Sequence, residues 1–220
     1  MQYALIALGL ILVAGIFYAF WITRDARLVT PQGVGTLELE VGTFEAFPLP
    51  DYAQAFVTDE YQSYFIEVEP GIKVHMLEVG EGYPLLMLHG NPSSPFLYRK
   101  VVAELPTDRM RIIMPTLVGL GFSSKVPVSE HTVANHNRWI NEALRQLKLE
   151  RLMFVGQDWG GIIGTGAMSL SPEMLEGIVM MNSGIFAPEE KISISRIHKI
   201  AKTPILGDFL IENYTTAFAG

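Results

Sequence analysis

The stretch VGQDWGG, residues 155 to 161, places a carboxylate between an apolar run and a glycine-rich run. Residues 156–160 have the form G-x-nucleophile-x-G of a nucleophile elbow, in which a strained strand-to-helix turn pushes the central side chain out of the sheet. A strand pattern precedes this turn and a helix pattern follows it. The sequence therefore predicts Asp158 as a displayed nucleophile. The competing interpretation is an aspartate that only caps the following helix.

The segments around this turn alternate between strands and helices. Strands are predicted at 64–69, 72–79, 84–88, 110–114, 151–155 and 175–181, and helices at 96–105, 132–147 and 161–170. This alternation is typical of an α/β fold with a mostly parallel sheet, whose ligands bind at the carboxyl ends of the strands. Residues 24–59 lack sustained periodicity and are rich in Pro and Gly, which indicates a linker and lead-in to a core over 60–184.

A second loop follows the strand predicted over 84–88. It consists of His89, Gly90, Asn91 and Pro92. In a hydrolase of this topology such a loop supplies one oxyanion-hole amide, and the residue after the nucleophile, here Trp159, supplies the other. The alternative is an ordinary turn that leads into a helix. Because both motifs stand in the expected order and each ends a strand, we expect the two loops to meet at one site.

Three stretches together resemble the haloalkane dehalogenases of the α/β-hydrolase superfamily, with epoxide hydrolases as relatives: HGNPSSPFLYR at 89–99, PTLVGLGFSS at 115–124 and VGQDWGG at 155–161. The resemblance runs from about residue 49 to the end, and TPILGDFL at 203–210 is similar to the start of a helical cap, predicted over 185–220. It implies an α/β-hydrolase fold. It also implies that Asp158 displaces a halide from an sp³ carbon and that water then cleaves the ester. Asn91 and Trp159 would bind the halide through side-chain amide and indole N–H groups.

The chain departs from that pattern in two places. Thr116 stands where these families usually have aspartate, and Asn182 stands where some dehalogenases carry the acid that orients the base. No base is apparent, because His198, the histidine that follows Asp158, falls in a predicted cap helix. The resemblance therefore implies an acid and a histidine after residue 220, in a protein of roughly 300 residues. We expect this chain by itself not to turn over a substrate.

Three functions remain open on these grounds. The leading one is hydrolytic dehalogenation, which needs a small apolar substrate and water. Asn91 followed by Pro92 favours it, since the matching residue of epoxide hydrolases is more often aromatic. The second function is epoxide hydrolysis. The third is that of a noncatalytic, anchored binding protein that kept the elbow and lost its base.

Composition argues against several other classes of protein. The net charge of -7 and the lack of a long basic run argue against nucleic acid as a partner. The chain has 0 cysteines, which excludes disulfides and thiolate chemistry. Its 5 histidines are scattered rather than clustered, so neither a metal site nor another cofactor is predicted.

Residues 3–22, YALIALGLILVAGIFYAFWI, carry no charge. A helix of about 20 apolar residues spans the roughly 30 Å of a bilayer's hydrocarbon, so residues 1–23 are predicted as a single-pass transmembrane anchor. The alternative is a secretory signal, which normally has a basic region before the apolar run, and none is present here. Arg24 and Arg27 follow the run and favour a cytoplasmic location for the globular part.

Overall fold

The computed structural model describes residues 9–18 and 30–184. Residues 9–18 form a helix, α1, whose apolar side chains are exposed. Within the described ranges, no helix combines the length and the apolarity needed to cross a bilayer. The anchor predicted over 3–22 lies partly outside these ranges and stays a prediction. The cap predicted over 185–220, with its His198, lies wholly outside them.

Residues 30–184 contain eight strands that join into one sheet. In chain order the strands are β1 Thr36–Leu39, β2 Gly42–Ala46, β3 Gln62–Glu69, β4 Ile72–Val79, β5 Tyr83–Leu88, β6 Met110–Pro115, β7 Leu152–Gln157 and β8 Leu175–Met181. The α-helices are α2 Asp51–Gln54, α3 Arg99–Val102, α4 Val133–Gln146 and α5 Trp159–Ser169, with 3-10 turns at Pro95–Tyr98, Val128–Glu130 and Pro172–Met174. All six predicted strands are confirmed within two residues or so. The helix predicted over 96–105 is instead a 3-10 turn followed by the single turn of α3.

The sheet is mixed, and the prediction of a mostly parallel sheet was wrong. Its strand order is β1-β2-β3-β4-β6-β5-β7-β8. Neighbouring strands from β1 to β4 pair antiparallel, and so do β4 and β6. The pairs β5 with β6, β5 with β7 and β7 with β8 are parallel. The physical reason lies in the connections. The short turn at Pro70 and Gly71 can join only antiparallel neighbours, while the helical crossovers permit parallel pairing.

The linker predicted over 24–59 also needs correction, because it contains β1, β2 and α2. The two strands are short and lie at one edge of the sheet, and their residues are exposed or half-buried. β1 does alternate, with Leu37 and Leu39 half-buried against the core and Thr36 and Glu38 more exposed, but its four residues are too short a run to count as sustained periodicity.

Two apolar clusters cover the two faces of the central strands. Leu86 and Leu88 of β5 belong to the cluster that includes residues of α4 and α5, whereas Leu85 and Met87 belong to the cluster that includes Val102 of α3. This alternation follows from the pleat of a strand. With both faces buried, the carboxyl ends of β5 and β7 are held side by side at one edge of the core.

Candidate active site

The elbow predicted at Asp158 is a sharp turn between β7 and α5. Asp158 has φ 53° and ψ −129°, a backbone conformation that residues with a side chain rarely adopt. The residue occupies the N-cap position of α5, yet its side chain makes no capping hydrogen bond. The interpretation of Asp158 as a simple helix cap therefore does not describe this turn.

The loop after β5 reaches this carboxylate through its backbone. The amide of Asn91 donates to Oδ1 of Asp158 at 3.1 Å. Gly90 packs so closely that a Cβ at its position would lie 2.4 Å from both Cβ and Oδ1 of Asp158. Pro92 follows across a cis peptide bond. The two predicted loops thus meet, and their approach requires a residue without a side chain at position 90.

Trp159, the second predicted oxyanion-hole residue, begins α5, and 44% of its surface is exposed. It lines a cleft of about 310 Å³ together with Asp158, Ile162 and residues 182–184. This volume suits a small substrate. A larger cavity of about 360 Å³ is lined by Tyr83 and Arg151, which lie near the amino ends of β5 and β7. Because sites in such folds form at carboxyl ends, we assign the smaller cleft as the candidate active site.

His89 connects the loop after β5 to the loop after β6. Its ring is buried, with Nδ1 2.8 Å from the carbonyl of Gly90, and Nε2 accepts a hydrogen bond from the amide of Leu117 at 3.1 Å. A carbonyl can only accept and an amide only donate, so the ring is neutral and carries its proton on Nδ1. Burial lowers the pKa of His89 to about 4, against the opposing effect of the bond to Gly90. His89 stabilises the loop and is unsuited to act as a base.

Thr116, which replaces the expected aspartate, uses both its backbone and its hydroxyl. Its amide donates to the carbonyl of His75 at 2.8 Å, its Oγ1 lies 2.8 Å from His75 Nδ1, and its carbonyl accepts from the Ser123 hydroxyl at 2.7 Å. Burial lowers the pKa of His75 to about 3. The neutral imidazole of His75 and the hydroxyl of Thr116 therefore join β4 to the loop after β6.

Lys125 stabilises the far end of the loop that begins at Thr116. Its ammonium donates to the carbonyls of Leu120, Gly121 and Ser123 at 3.0, 2.7 and 2.8 Å. Burial lowers the pKa of Lys125 to about 8. The loop over 116–125, which holds His89 in place through Leu117, is thus fixed by hydrogen bonds at both ends.

No histidine of the described ranges hydrogen-bonds Asp158. His75 and His89 are buried in the loop contacts given above, and Nδ1 of His131 lies 3.2 Å from Nε2 of His136. Asn182 follows β8 with φ 46° and lines the cleft, so an amide stands where the resemblance allows an acid. Residues 9–18 and 30–184 also contain no group of three or more acidic or histidine side chains placed to hold a metal ion. This part of the chain has a candidate nucleophile without a candidate base.

The sequence analysis missed Ser183. It lies two residues after β8 and donates from its hydroxyl to the carbonyl of Asp158 at 2.6 Å. Its position at the carboxyl end of the strand next to β7 is where functional residues of such sheets occur. That rule alone would have marked residues 182–184 as part of the site, but it could not have identified a bond to the backbone of Asp158.

Comparison with known proteins agrees with this fold. The family model described as alpha/beta hydrolase fold matches residues 83–203, which is more than half of the chain. The chain therefore belongs to the α/β-hydrolase family. Within that family it is a haloalkane dehalogenase-like α/β-hydrolase, as its relatives indicate.

The chain is similar to haloalkane dehalogenase 2 of Mycobacterium bovis, with 31% identity over 132 residues that cover 60% of this chain and 46% of the relative. It is also similar to a cis-3-alkyl-4-alkyloxetan-2-one decarboxylase of Shewanella oneidensis, with 33% identity over 147 residues that cover 66% and 46%. Among solved structures, the haloalkane dehalogenase DatA of Agrobacterium tumefaciens aligns with a TM-score of 0.63 at 26% identity, over 74% of this chain and 56% of that one. The chain spans about half the length of the curated relatives it matches.

Proposed function

We propose that Asp158 is the nucleophile of a hydrolase that forms a covalent alkyl ester with its substrate, and that this substrate is a haloalkane. The observation that carries the proposal is the hydrogen bond from the amide of Asn91 to Oδ1 of Asp158 at 3.1 Å. A backbone donor beside a carboxylate on a strained elbow is the arrangement that covalent hydrolysis needs, because it orients one oxygen and stabilises charge on it.

The two carboxylate oxygens then have different roles. Oδ1 accepts the amide of Asn91, whereas Oδ2 has no hydrogen-bond partner among the described residues. Oδ2 is therefore the oxygen available to attack. As its bond to the substrate carbon forms, the carbon–halogen bond breaks and the halide leaves with the electron pair. In the second step water gives a proton to a base and attacks the ester carbonyl carbon, and the resulting oxyanion faces the amides of Asn91 and Trp159. Collapse of this oxyanion breaks the bond to the alkyl oxygen, which takes up a proton and leaves as the alcohol, and the Asp158 carboxylate is restored.

The departing halide needs N–H donors without a negative charge nearby. The indole of Trp159, which lines the same cleft as Asp158, and the side-chain amide of Asn91 are the proposed donors. The base that activates water is proposed to be a histidine outside the described residues.

The direct test is intact-mass measurement after incubation with 1-bromobutane. We expect wild-type protein to gain one butyl group, and the Asp158→Ala variant to gain none. Peptide mapping should place the adduct on Asp158. A folded wild-type sample that neither gains an adduct nor releases bromide would contradict the dehalogenase function and would favour a noncatalytic binding protein.

Two related reactions use the same candidate nucleophile and need separate assays. Epoxide hydrolysis would be detected as a diol. The similarity to the Shewanella oneidensis decarboxylase adds a third substrate, a cis-3,4-dialkyloxetan-2-one, whose conversion would be detected as released carbon dioxide. We expect halide release to be the fastest of the three reactions.

We also propose that residues 3–22 anchor the protein in a membrane, with the globular part on the cytoplasmic side. The uncharged run supports this, as do the exposed apolar side chains of α1, among them Leu10, Ile11 and Phe17. Full-length protein should remain in the membrane pellet after alkaline carbonate extraction. A variant that starts at residue 30 should be released.

A further inference from the structure

Ser183 lies beside the elbow although it follows a different strand. The parallel register of β7 and β8 pairs Gln157 with Met181, so the residues after each strand are neighbours. From this position the Ser183 hydroxyl donates to the carbonyl of Asp158 at 2.6 Å, and the amide of Asp158 donates to the carbonyl of Met181 at 3.2 Å. Both backbone polar groups of the strained residue are thus bonded to the end of β8.

The Ser183 side chain packs against Gly161 of α5. A Cβ on Gly161 would lie 2.2 Å from Ser183 Oγ and 2.6 Å from Ser183 Cβ. The serine therefore occupies the space that a side chain at position 161 would take. The amide of Gly161 is the second donor to the carbonyl of Asp158, at 3.1 Å. One hydrogen bond to this carbonyl comes from α5, and the other comes from the segment that follows β8.

The direction of that carbonyl determines the direction of the next amide. A peptide unit is planar and trans, so the carbonyl of Asp158 and the N–H of Trp159 point in opposite directions within one plane. A bond that holds the Asp158 oxygen toward Ser183 therefore holds the Trp159 N–H toward the other side. That N–H is the proposed oxyanion-hole donor next to the nucleophile.

We propose that Ser183 is a positioning residue that holds the strained peptide unit between Asp158 and Trp159 in its reactive orientation. The inference rests on the proposed function of Asp158. Ser183 acts through the backbone of the elbow and takes no part in the bonds that form and break. Its loss should therefore slow the chemical step, which depends on the alignment of carboxylate and donors, more than it weakens substrate binding.

The test compares single-turnover alkylation by 1-bromobutane in wild-type protein and in Ser183→Ala, followed by intact mass. We expect the limiting rate to fall by about 10- to 100-fold and the half-saturating concentration to change by less than about twofold. Ser183→Thr keeps the hydroxyl and should recover most of the rate. Ser169→Ala is the matched control, because Ser169 donates to the carbonyl of Gly166 in the same helix at 2.7 Å, away from the elbow.

A second measurement does not depend on activity. In two-dimensional amide spectra, the resonances of Trp159 and Gly161 should shift in Ser183→Ala, and the rest of the spectrum should be retained. Where alanine prevents folding, Ser183→Cys, with its weaker donor, replaces it. Equal alkylation rates in wild type and Ser183→Ala, or unchanged Trp159 and Gly161 resonances, would overturn the role. If wild-type protein forms no adduct and releases no bromide, the proposed function fails, and the amide resonances alone decide whether Ser183 holds the elbow.

Discussion

The backbone amide of Asn91 donates to the carboxylate of Asp158 at 3.1 Å, although 67 positions separate the two residues in the chain. The contact exists because β5 and β7 are parallel neighbours, with Leu88 paired to Gly156, so the loops that follow them emerge together. It joins the two most informative motifs of the sequence into one site. Four predictions follow from the surroundings of this contact.

Gly90→Ala should abolish most of the alkylation of Asp158. The added Cβ would lie 2.4 Å from Oδ1 and Cβ of Asp158, so the carboxylate or the loop must move. A displacement on the order of 1 Å lowers the rate by roughly 100-fold. Single-turnover intact mass measures this rate, and circular dichroism checks the fold. Gly15→Ala, a position where an added Cβ meets nothing within 4 Å, is the neutral control. Wild-type rates in Gly90→Ala would show that the loop and carboxylate are not in close contact.

Trp159→Phe should weaken the binding of bromide and slow alkylation while keeping the aromatic ring. The variant loses the indole N–H together with the pyrrole part of the ring system, so the halide loses one of its two proposed donors. Removal of one preorganised donor of this kind costs about 100-fold in rate. Bromide inhibition and single-turnover alkylation provide the two measurements. Ile162→Val, which changes another residue of the same cleft, serves as the control for packing. Bromide inhibition that is equal in Trp159→Phe and wild type would rule out the indole as a halide donor.

Acid should destabilise the fold through His89. Burial lowers the pKa of His89 to about 4 in the folded protein, from an ordinary value of 6.5 in an unfolded chain. Between these values the unfolded chain binds a proton that the folded chain does not, so the free energy of unfolding falls as the pH falls from 6.5. The expected slope from this one group is about 1.4 kcal/mol per pH unit. Urea unfolding of wild type and His89→Gln between pH 6.5 and about 5 should therefore give a shallower pH dependence for the variant. Parallel curves would contradict the assignment of His89 as buried and neutral.

Thr116→Val should destabilise the protein more than Thr116→Ser. Valine keeps the shape of threonine but leaves Nδ1 of the buried His75 without its partner at 2.8 Å. An unpaired buried polar group costs about 1 to 3 kcal/mol. Serine keeps the hydroxyl and removes only a methyl group. Urea unfolding at pH 7 compares the two variants. Equal stabilities would mean that the bond between Thr116 and His75 contributes nothing to the loop.

Much of the fold could be predicted from local patterns. The apolar strands β3 to β7 and the helices α4 and α5 have buried faces, and burial imposes a periodicity that the sequence displays. The strand β8 was predicted from its apolar run, although its residues are exposed or half-buried. The strands β1 and β2 were missed because they are short and only half-buried. The antiparallel half of the sheet was missed for another reason: strand direction depends on the connections and on pairing, neither of which is written in the composition of a strand.

By itself, the sequence determined where a carboxylate is displayed. An aspartate between glycines after an apolar strand, together with the HGNP loop, specifies a displayed carboxylate, because only small residues permit so tight a turn. Tertiary structure alone decided how that carboxylate is held. The bonds from Asn91 to its Oδ1 and from Ser183 to its carbonyl each join segments that follow different strands. Such contacts arise only when the sheet brings distant segments together, so no local pattern can encode them.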